Sequence, residues 1–556
     1  MLLVLLAATT AGPTQAATAS ESTSFTTSDG TVLHATLSGT APIAARPTIV
    51  EFSPYGVGTG TFDAGPDFNT LVVEDRGTGR SGGGFDALGP LAQRDVQETL
   101  EWACHQPWSD GTLGLNGFSA SAIVIYNSLH LELPCVKAAV LKSGTFELYR
   151  DLLSPGGLSN FAPGAVVLAE IGGGAMQQTF SRDPRTDLDA IAGDSRSGTD
   201  VVQHPTLDDW WRERGFRSDV NHLPILMVDG FFDVESRGAF EAFQALKGDG
   251  AHLYVIGGHD QAPQGTDGGA GEMAAWFQHY LRGAGNGVET HPRVQLWMSR
   301  GDRKAHVGGD TLHYESADWP VPGTRWRSYA LSPARSGTAR SINDGTLSPT
   351  APAATSRQSY PAAVSEPTQT DVPNAAIVDA MGFAALTDRF PSLADMSAAE
   401  QLGLSYTTAP IEQDFLSAGP AALDITLSST APTTAIWAVI SDVDPGGTPH
   451  PLGVGRLSTD YPFVDDSKSR RDPDSGDVVQ PYGDFSAKSP ATPGTARTYH
   501  VEFWPLGNEF RSGHRIRLHL VGQSLASLPN APALNTVTLG GANPSRLLIP
   551  VTPAQQ

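Results

Sequence analysis

The chain has 556 residues, more than one hydrophobic core usually serves, so two or three domains are expected. Its 36 Lys and Arg against 59 Asp and Glu give a net charge of −23, which disfavours nucleic acid and anionic membrane surfaces as partners. The two cysteines are far apart and no HExxH or paired CxxC occurs, so neither a metal nor a cofactor is expected.

The N-terminal run Met1-Leu-Leu-Val-Leu-Leu-Ala-Ala8 is too short to span a bilayer and is followed by the small-x-small segment Ala17-Thr-Ala19. It reads as a secretory signal over residues 1–19. No Lys or Arg precedes the apolar stretch, so the true start is expected upstream. No later stretch is long and apolar enough for a membrane helix, and no cysteine follows the run to take a lipid. A secreted, extracellular protein without a membrane anchor is the expectation.

Five short apolar runs then read as buried parallel strands: 47–55, 69–75, 137–142, 223–228 and 252–256. Helical patterns over Leu91–Trp102 and Ala122–Leu131 fit amphipathic crossovers between them. Strands alternating with helices predict a parallel α/β sheet with its site at the strands' C-terminal ends.

Within that alternation, Leu113-Gly-Leu-Asn-Gly-Phe-Ser-Ala-Ser-Ala122 reads as a strand turning sharply at Ser119 into a helix. The nucleophile-elbow pattern G-x-S-x-G needs small residues two positions either side of the serine, and Gly117 and Ser121 hold those places. A serine hydroxyl needs an imidazole to accept its proton, and the imidazole needs a carboxylate to fix its tautomer. Asp233 in Gly230-Phe-Phe-Asp233 follows one predicted strand, and His259 in Gly257-Gly-His259 follows another. Ser119, Asp233, His259 is the chain order of an α/β-hydrolase triad. His252 and His279 are rivals for the base, the first at a strand's beginning and the second within a predicted helix. Asp229 and Asp260 are rivals for the acid, one on or just leaving its strand and the other adjoining the base itself.

Between Thr145 and His222 the strand pattern stops, and Phe146–Leu153 and Leu207–Arg214 look helical, which predicts a cap over the pocket. Cys104 ends the helix leading into the nucleophile strand and Cys135 precedes the next strand, so both should lie at the non-catalytic edge of the sheet as a disulfide. The stretch 332–374, rich in Pro, Ser, Thr and Ala, suggests a surface excursion. Short runs at 422–428, 434–440, 500–504 and 515–520, separated by Pro and Gly turns, predict an all-β C-terminal half.

The segments Ser53-Pro-Tyr-Gly56, Asp75-Arg-Gly-Thr-Gly-Arg-Ser-Gly82, Gln106-Pro-Trp-Ser-Asp-Gly111, Gly117-Phe-Ser119, Gly230-Phe-Phe-Asp233 and Gly258-His259 resemble those of the cocaine-esterase and X-prolyl dipeptidyl-peptidase (CocE/NonD-type) family of serine hydrolases. Asp442-Val-Asp-Pro-Gly446 and Phe510-Arg-Ser-Gly-His-Arg-Ile-Arg517 resemble its C-terminal jelly-roll domain. The resemblance implies an oxyanion hole made by the Tyr55 hydroxyl and the Ala120 N–H. The family usually has tyrosine and glycine where this chain has Ala120 and Ser121, which keeps the backbone donor and alters the pocket wall.

The expectation is an α/β-hydrolase over residues 20–144 and 223–290, a helical cap over 145–222 and a jelly-roll domain over 291–556. It would cleave small carboxylic esters through an acyl-enzyme. One alternative is X-prolyl dipeptidyl-peptidase or acylase activity; another is a non-catalytic binding protein on a hydrolase scaffold. A dipeptidyl-peptidase must anchor a free α-ammonium, and the residues just after Ser119 offer no acid. Glu147 and Asp151 in the cap are the candidates for that role.

Overall fold

Alternation of apolar strands with helices produces one wound sheet, as patterning predicts. β1 (Thr18–Thr26) and β2 (Val32–Thr40) form an antiparallel hairpin, and β2 lies antiparallel to β4 (Asn69–Glu74). From β4 the order runs through β3 (Arg46–Ser53), β5 (Ser109–Phe118), β6 (Val136–Lys142), β7 (Ile225–Asp229), β8 (His252–Val255) and β9 (Val294–Ser299), all parallel. This computed structural model describes residues 17–56, 58, 65–145, 147–160, 200–215, 217, 223–259, 261–341, 343–362, 395–398, 400–522 and 531–555. The apolar run of the predicted signal, Phe146, cap residues 161–199 and 218–222, and 363–374 of the predicted excursion lie outside the described residues.

The main helices are α1 (Pro90–Cys104), α2 (Ala120–Ser128), α3 (Asp209–Arg212), α4 (Ser236–Leu246) and α5 (Ala270–Arg282). α2 departs from the expected amphipathic pattern because all nine of its residues are buried. Sheet, α1 and cap segments enclose it, so it has no solvent face to mark. Of the predicted cap helices, 146–153 forms a π-helical turn at Tyr149–Leu153, and 207–214 shortens to α3. The α/β layer also runs past residue 290, since β9 extends the parallel sheet and β10 (Thr311–Ser316) pairs antiparallel with it. At the other end, β1 already begins at Thr18, inside the predicted signal.

The C-terminal half is all β. Its strands are β11 (Arg325–Ser332), β12 (Asn343–Ser348), β13 (Ser356–Pro361), β14 (Leu404–Thr407), β15 (Phe415–Ser429), β16 (Ala435–Val443), β17 (Pro449–Ser458), β18 (Arg470–Arg471), β19 (Val478–Gln480), β20 (Arg497–Phe510), β21 (Arg515–Val521), β22 (Leu534–Leu539) and β23 (Arg546–Val551). Pairing runs β11-β12-β14-β21-β16-β17-β20-β15-β23 and returns to β11, a closed barrel. β12 and β13 lie in the stretch expected to be an irregular excursion. Composition hid them because their Ser, Thr and Asn residues are polar, while their backbone groups are satisfied by β11, β14 and β22. Barrel and sheet meet where Asn508 of β20 pairs with Ser299 of β9. Beside that point a Cβ on Gly507 would come within 2.2 Å of the Phe231 ring, so glycine lets the barrel close on the Gly230–Asp233 turn.

Cys104 and Cys135 are joined by a disulfide with Cα atoms 6.1 Å apart. No helix among the described residues is long and apolar enough to cross a membrane.

Candidate active site

β5 delivers Ser119 to the first turn of α2 with φ 56° and ψ −128°. A non-glycine residue there is strained by roughly 1–3 kcal/mol and persists only where its surroundings hold it. They do so by close packing. A Cβ on Gly117 would lie 2.6 Å from backbone atoms of Ala122, and one on Gly144 would lie 2.5 Å from the Ala122 Cβ. Ser121, the departure from the usual glycine, is buried, and its hydroxyl has no hydrogen-bond partner among the described residues.

The turns after β7 and β8 bring Asp233 and His259 together. Asp233 Oδ1 lies 2.9 Å from His259 Nδ1, and Oδ2 accepts the His259 backbone N–H. Ser143 Oγ donates to Oδ2 at 2.9 Å and the Glu235 N–H to Oδ1 at 3.1 Å. Burial raises the Asp233 carboxyl, but the His259 imidazole and these bonds outweigh it and hold the group below its usual range. Gly258 must lack a side chain, because a Cβ there would sit 1.8 Å from Asp233 Oδ2. The imidazole packs on Phe118, ring centroids 4.7 Å apart, which sets it beside the elbow. On the other side of Ser119, the Ala120 N–H donates to the Tyr55 hydroxyl at 3.3 Å. Two groups able to hold an oxyanion therefore converge at the start of α2.

The two rival histidines are elsewhere. His252 opens β8 at the opposite end of the sheet, against Trp276, and burial pushes it down to about 4. His279 faces Glu289 at 3.1 Å and the Ala284 carbonyl. Asp229 ends β7 with one oxygen bound to the Gly230 N–H and the other unpartnered among the described residues. Burial, and then the charge of Asp233, raise it well above its ordinary value. Asp260 lies outside the described residues.

Ser119 and Ala120 open on a cavity of about 40 Å³ walled by Phe85, Leu88, Ile123, Leu148, Leu152 and Val201, with one charged residue, Glu235. Sequence reasoning missed Glu235. Its side chain is buried, Oε2 has no partner among the described residues, and burial followed by the charges of Asp233 and Asp229 raises it well above its usual value. Its spacing two residues beyond Asp233, on the same turn, is the one signal the sequence offered. The two acids expected in that role are engaged elsewhere. Asp151 binds Arg237 Nη1 at 2.7 Å and Thr145, while Glu147 meets Arg237 at 3.3 Å and accepts from the Tyr482 hydroxyl. Among the described residues, no group of three or more His, Cys, Asp or Glu side chains could hold a metal ion.

Residues 29–261 match the family model described as X-Pro dipeptidyl-peptidase (S15 family), and residues 286–548 match its C-terminal non-catalytic domain. A Mycobacterium tuberculosis (strain CDC 1551 / Oshkosh) protein named as a serine esterase is 23% identical over 547 residues, covering 82% of this chain and 79% of its own. The cocaine esterase of Rhodococcus sp. (strain MB1 Bresler) is 24% identical over 300 residues, covering 46% of this chain and 50% of its own. Among solved structures, a CocE/NonD family hydrolase from Staphylococcus aureus superposes with a TM-score of 0.75 at 17% identity, over 96% of this chain and 94% of that one.

Proposed function

This chain belongs to the CocE/NonD and X-Pro dipeptidyl-peptidase family of serine hydrolases, and we propose that within it the chain is a secreted carboxylesterase working through an acyl-enzyme. The observation that carries the reading is the gathering at the strand ends of one edge of the sheet of a strained Ser119, the His259–Asp233 pair and the Ala120 N–H beside the Tyr55 hydroxyl.

In this mechanism Asp233 holds Nδ1 of His259 and leaves Nε2 to take the Ser119 proton as Oγ attacks the ester carbonyl. Negative charge develops on the carbonyl oxygen, and the Ala120 N–H and Tyr55 O–H turn to it. His259 returns the proton to the departing alcohol. Water then repeats the sequence, regenerating the serine and releasing the acid. The apolar cavity suits a short acyl chain. The disulfide and the apolar N-terminal run support an extracellular setting. In the same reading the cap shapes the pocket and the C-terminal barrel is a jelly roll whose sheet edges have joined.

A second reading rests on Glu235. A buried carboxyl with an unpartnered oxygen in an otherwise apolar acyl pocket is suited to a substrate's ammonium, so amino-acyl esters or amides are the alternative class.

The test is kcat/KM on p-nitrophenyl butyrate and Ala-Pro-p-nitroanilide, for the wild type and Ser119→Ala. The ester is expected to be the better substrate, and the alanine variant to lose about 10⁴ to 10⁶ in kcat. A fluorophosphonate label on a residue other than Ser119 would overturn the assignment, and preference for the anilide would move the chain to the peptidase branch.

A further inference from the structure

Beside Ser119 the wall of the acyl cavity is under strain. Ala87 and Leu88, both lining it, are consecutive non-glycine residues in the left-handed region, with φ 53° and 60°. L-residues visit that region singly, because the Cβ crowds the following carbonyl oxygen; two in succession persist only where neighbours impose them.

The imposing contacts come from two sources. From the body of the domain, Asn127 Nδ2 in α2 donates to the Leu88 carbonyl at 3.0 Å, and the Asp86 carboxylate accepts the Leu91 N–H at 2.8 Å and the Gly89 N–H at 3.1 Å. From the cap side, Arg214 Nη2 donates to the Asp86 carbonyl at 2.9 Å. Gln93 joins the two, giving one N–H to the Glu213 carbonyl at 2.7 Å and one to the Leu88 carbonyl at 3.3 Å. Arg214 is buried, bonds the Trp210 carbonyl at 2.9 Å and lies 3.6 Å from the centroid of the Trp210 ring. Its guanidinium rests directly on Gly89, where a Cβ would come within 2.3 Å of Nη2.

We infer that Arg214 is a positioning residue for acyl specificity: it couples the docked Asp209–Arg214 segment to the strained Asp86–Gly89 turn, and so fixes how long an acyl group the cavity beside Ser119 accepts. The inference rests on the acyl-hydrolase reading. A guanidinium can stack on Trp210, bond its carbonyl and reach Asp86 at once, which a lysine ammonium cannot. When the hold is released the turn relaxes out of the left-handed region, taking the Leu88 side chain with it, and the cavity widens.

The experiment compares kcat/KM on p-nitrophenyl acetate and p-nitrophenyl hexanoate for the wild type, R214K, R214A and the double variant A87G/R214A. Since each added methylene is worth about tenfold or more in a fitted apolar pocket, R214A should raise the hexanoate-to-acetate ratio by about tenfold, through a lower KM for hexanoate. R214K should lie between. Ala87→Gly removes the strained Cβ, so the double variant should return most of the way to the wild-type ratio. Equal losses on both esters at an unchanged ratio, or no rescue by the glycine, would overturn the proposal. Hydrogen exchange at the amides of residues 87–91 should quicken in R214A, and unchanged exchange would overturn it whether or not the esters are turned over. Failure of the catalytic reading looks different: the wild type would hydrolyse neither ester and Ser119 would take no fluorophosphonate.

Discussion

Two groups of buried and half-buried acids lie close together and differ in their hydrogen-bond partners. At the strand ends, Asp229 and Glu235 lie within electrostatic reach of Asp233, and it is Asp233 that binds His259. At the seam with the C-terminal barrel, Glu147, Asp151 and Glu502 surround Arg237, at 3.3, 2.7 and 3.1 Å. Burial raises the carboxyls in both groups. At the seam, Arg150 and Arg237 overcome it for Glu147 and hold that acid below its usual range, while Asp151 is still pushed up to about 6 and Glu502 is raised as well, but all three hydrogen-bond Arg237. At the strand ends only Asp233 is held down, and its two neighbours stay well above their usual values. A cluster saturated by arginine is scaffolding. The other leaves Asp229 Oδ2 and Glu235 Oε2 without a partner among the described residues, and Glu235 shares its cavity with Ser119.

The comparison breaks first at Asp233 and Asp229. Asp233→Asn leaves the shape but removes the acceptor that fixes the His259 tautomer, and kcat should fall by about 10⁴, as it does when the acid of other triads is neutralised. Asp229→Asn keeps the shape of a carboxyl that burial already pushes toward its uncharged form, and should change kcat by less than about threefold. Both are read from initial rates on p-nitrophenyl butyrate. Equal losses from the two would mean that the cluster shares its charge, and the distinction drawn above would fail.

The seam is probed by stability. Arg237→Met strands Glu147, Asp151 and Glu502 without their shared cation, and removing one partner of a buried pair costs about 3 to 5 kcal/mol. Urea unfolding measures it. A second transition in the variant would show that Arg237 also couples the unfolding of the α/β layer to that of the barrel. A loss within about 1 kcal/mol would place this network with the weak surface pairs.

What the sequence disclosed follows the same division. The parallel strands and the elbow were legible because a buried strand must be apolar and Gly117 cannot be replaced without striking Ala122. The Asp233–His259 pair was legible from chain order, since each stands just past a strand end. The seam was not: Arg237 meets Glu502 across 265 positions, and no local pattern encodes such a contact. Arg214 was hidden because its partner is a backbone carbonyl, which carries no residue identity. β12 and β13 were hidden because polar strands look like loops until their neighbours are known. Glu235 stood in plain view, but only burial separates a pocket acid from a solvated one.

Glu235 also gives the finest test of the contrast. With its carboxyl raised, it is neutral in the empty pocket over the lower part of the pH range, and an arriving ammonium would draw off its proton and form a buried pair. Gln has the same shape and cannot ionise. For methyl 2-aminobutyrate, E235Q should therefore lose about 1.5 to 3 kcal/mol, roughly ten- to a hundredfold in kcat/KM, relative to its effect on methyl butyrate, which lacks the ammonium. Acid release in a pH-stat measures both. The pH dependence has a fixed sign. An acid raised in the folded state contributes stability that is complete below its unfolded value of about 4.3 and is lost as pH climbs toward the raised one. E235Q should flatten that decline in the wild-type stability curve. If the variant instead slows both esters equally, Glu235 serves only to support the Asp233 turn, and the reserve of acid beside Ser119 has no bearing on substrate.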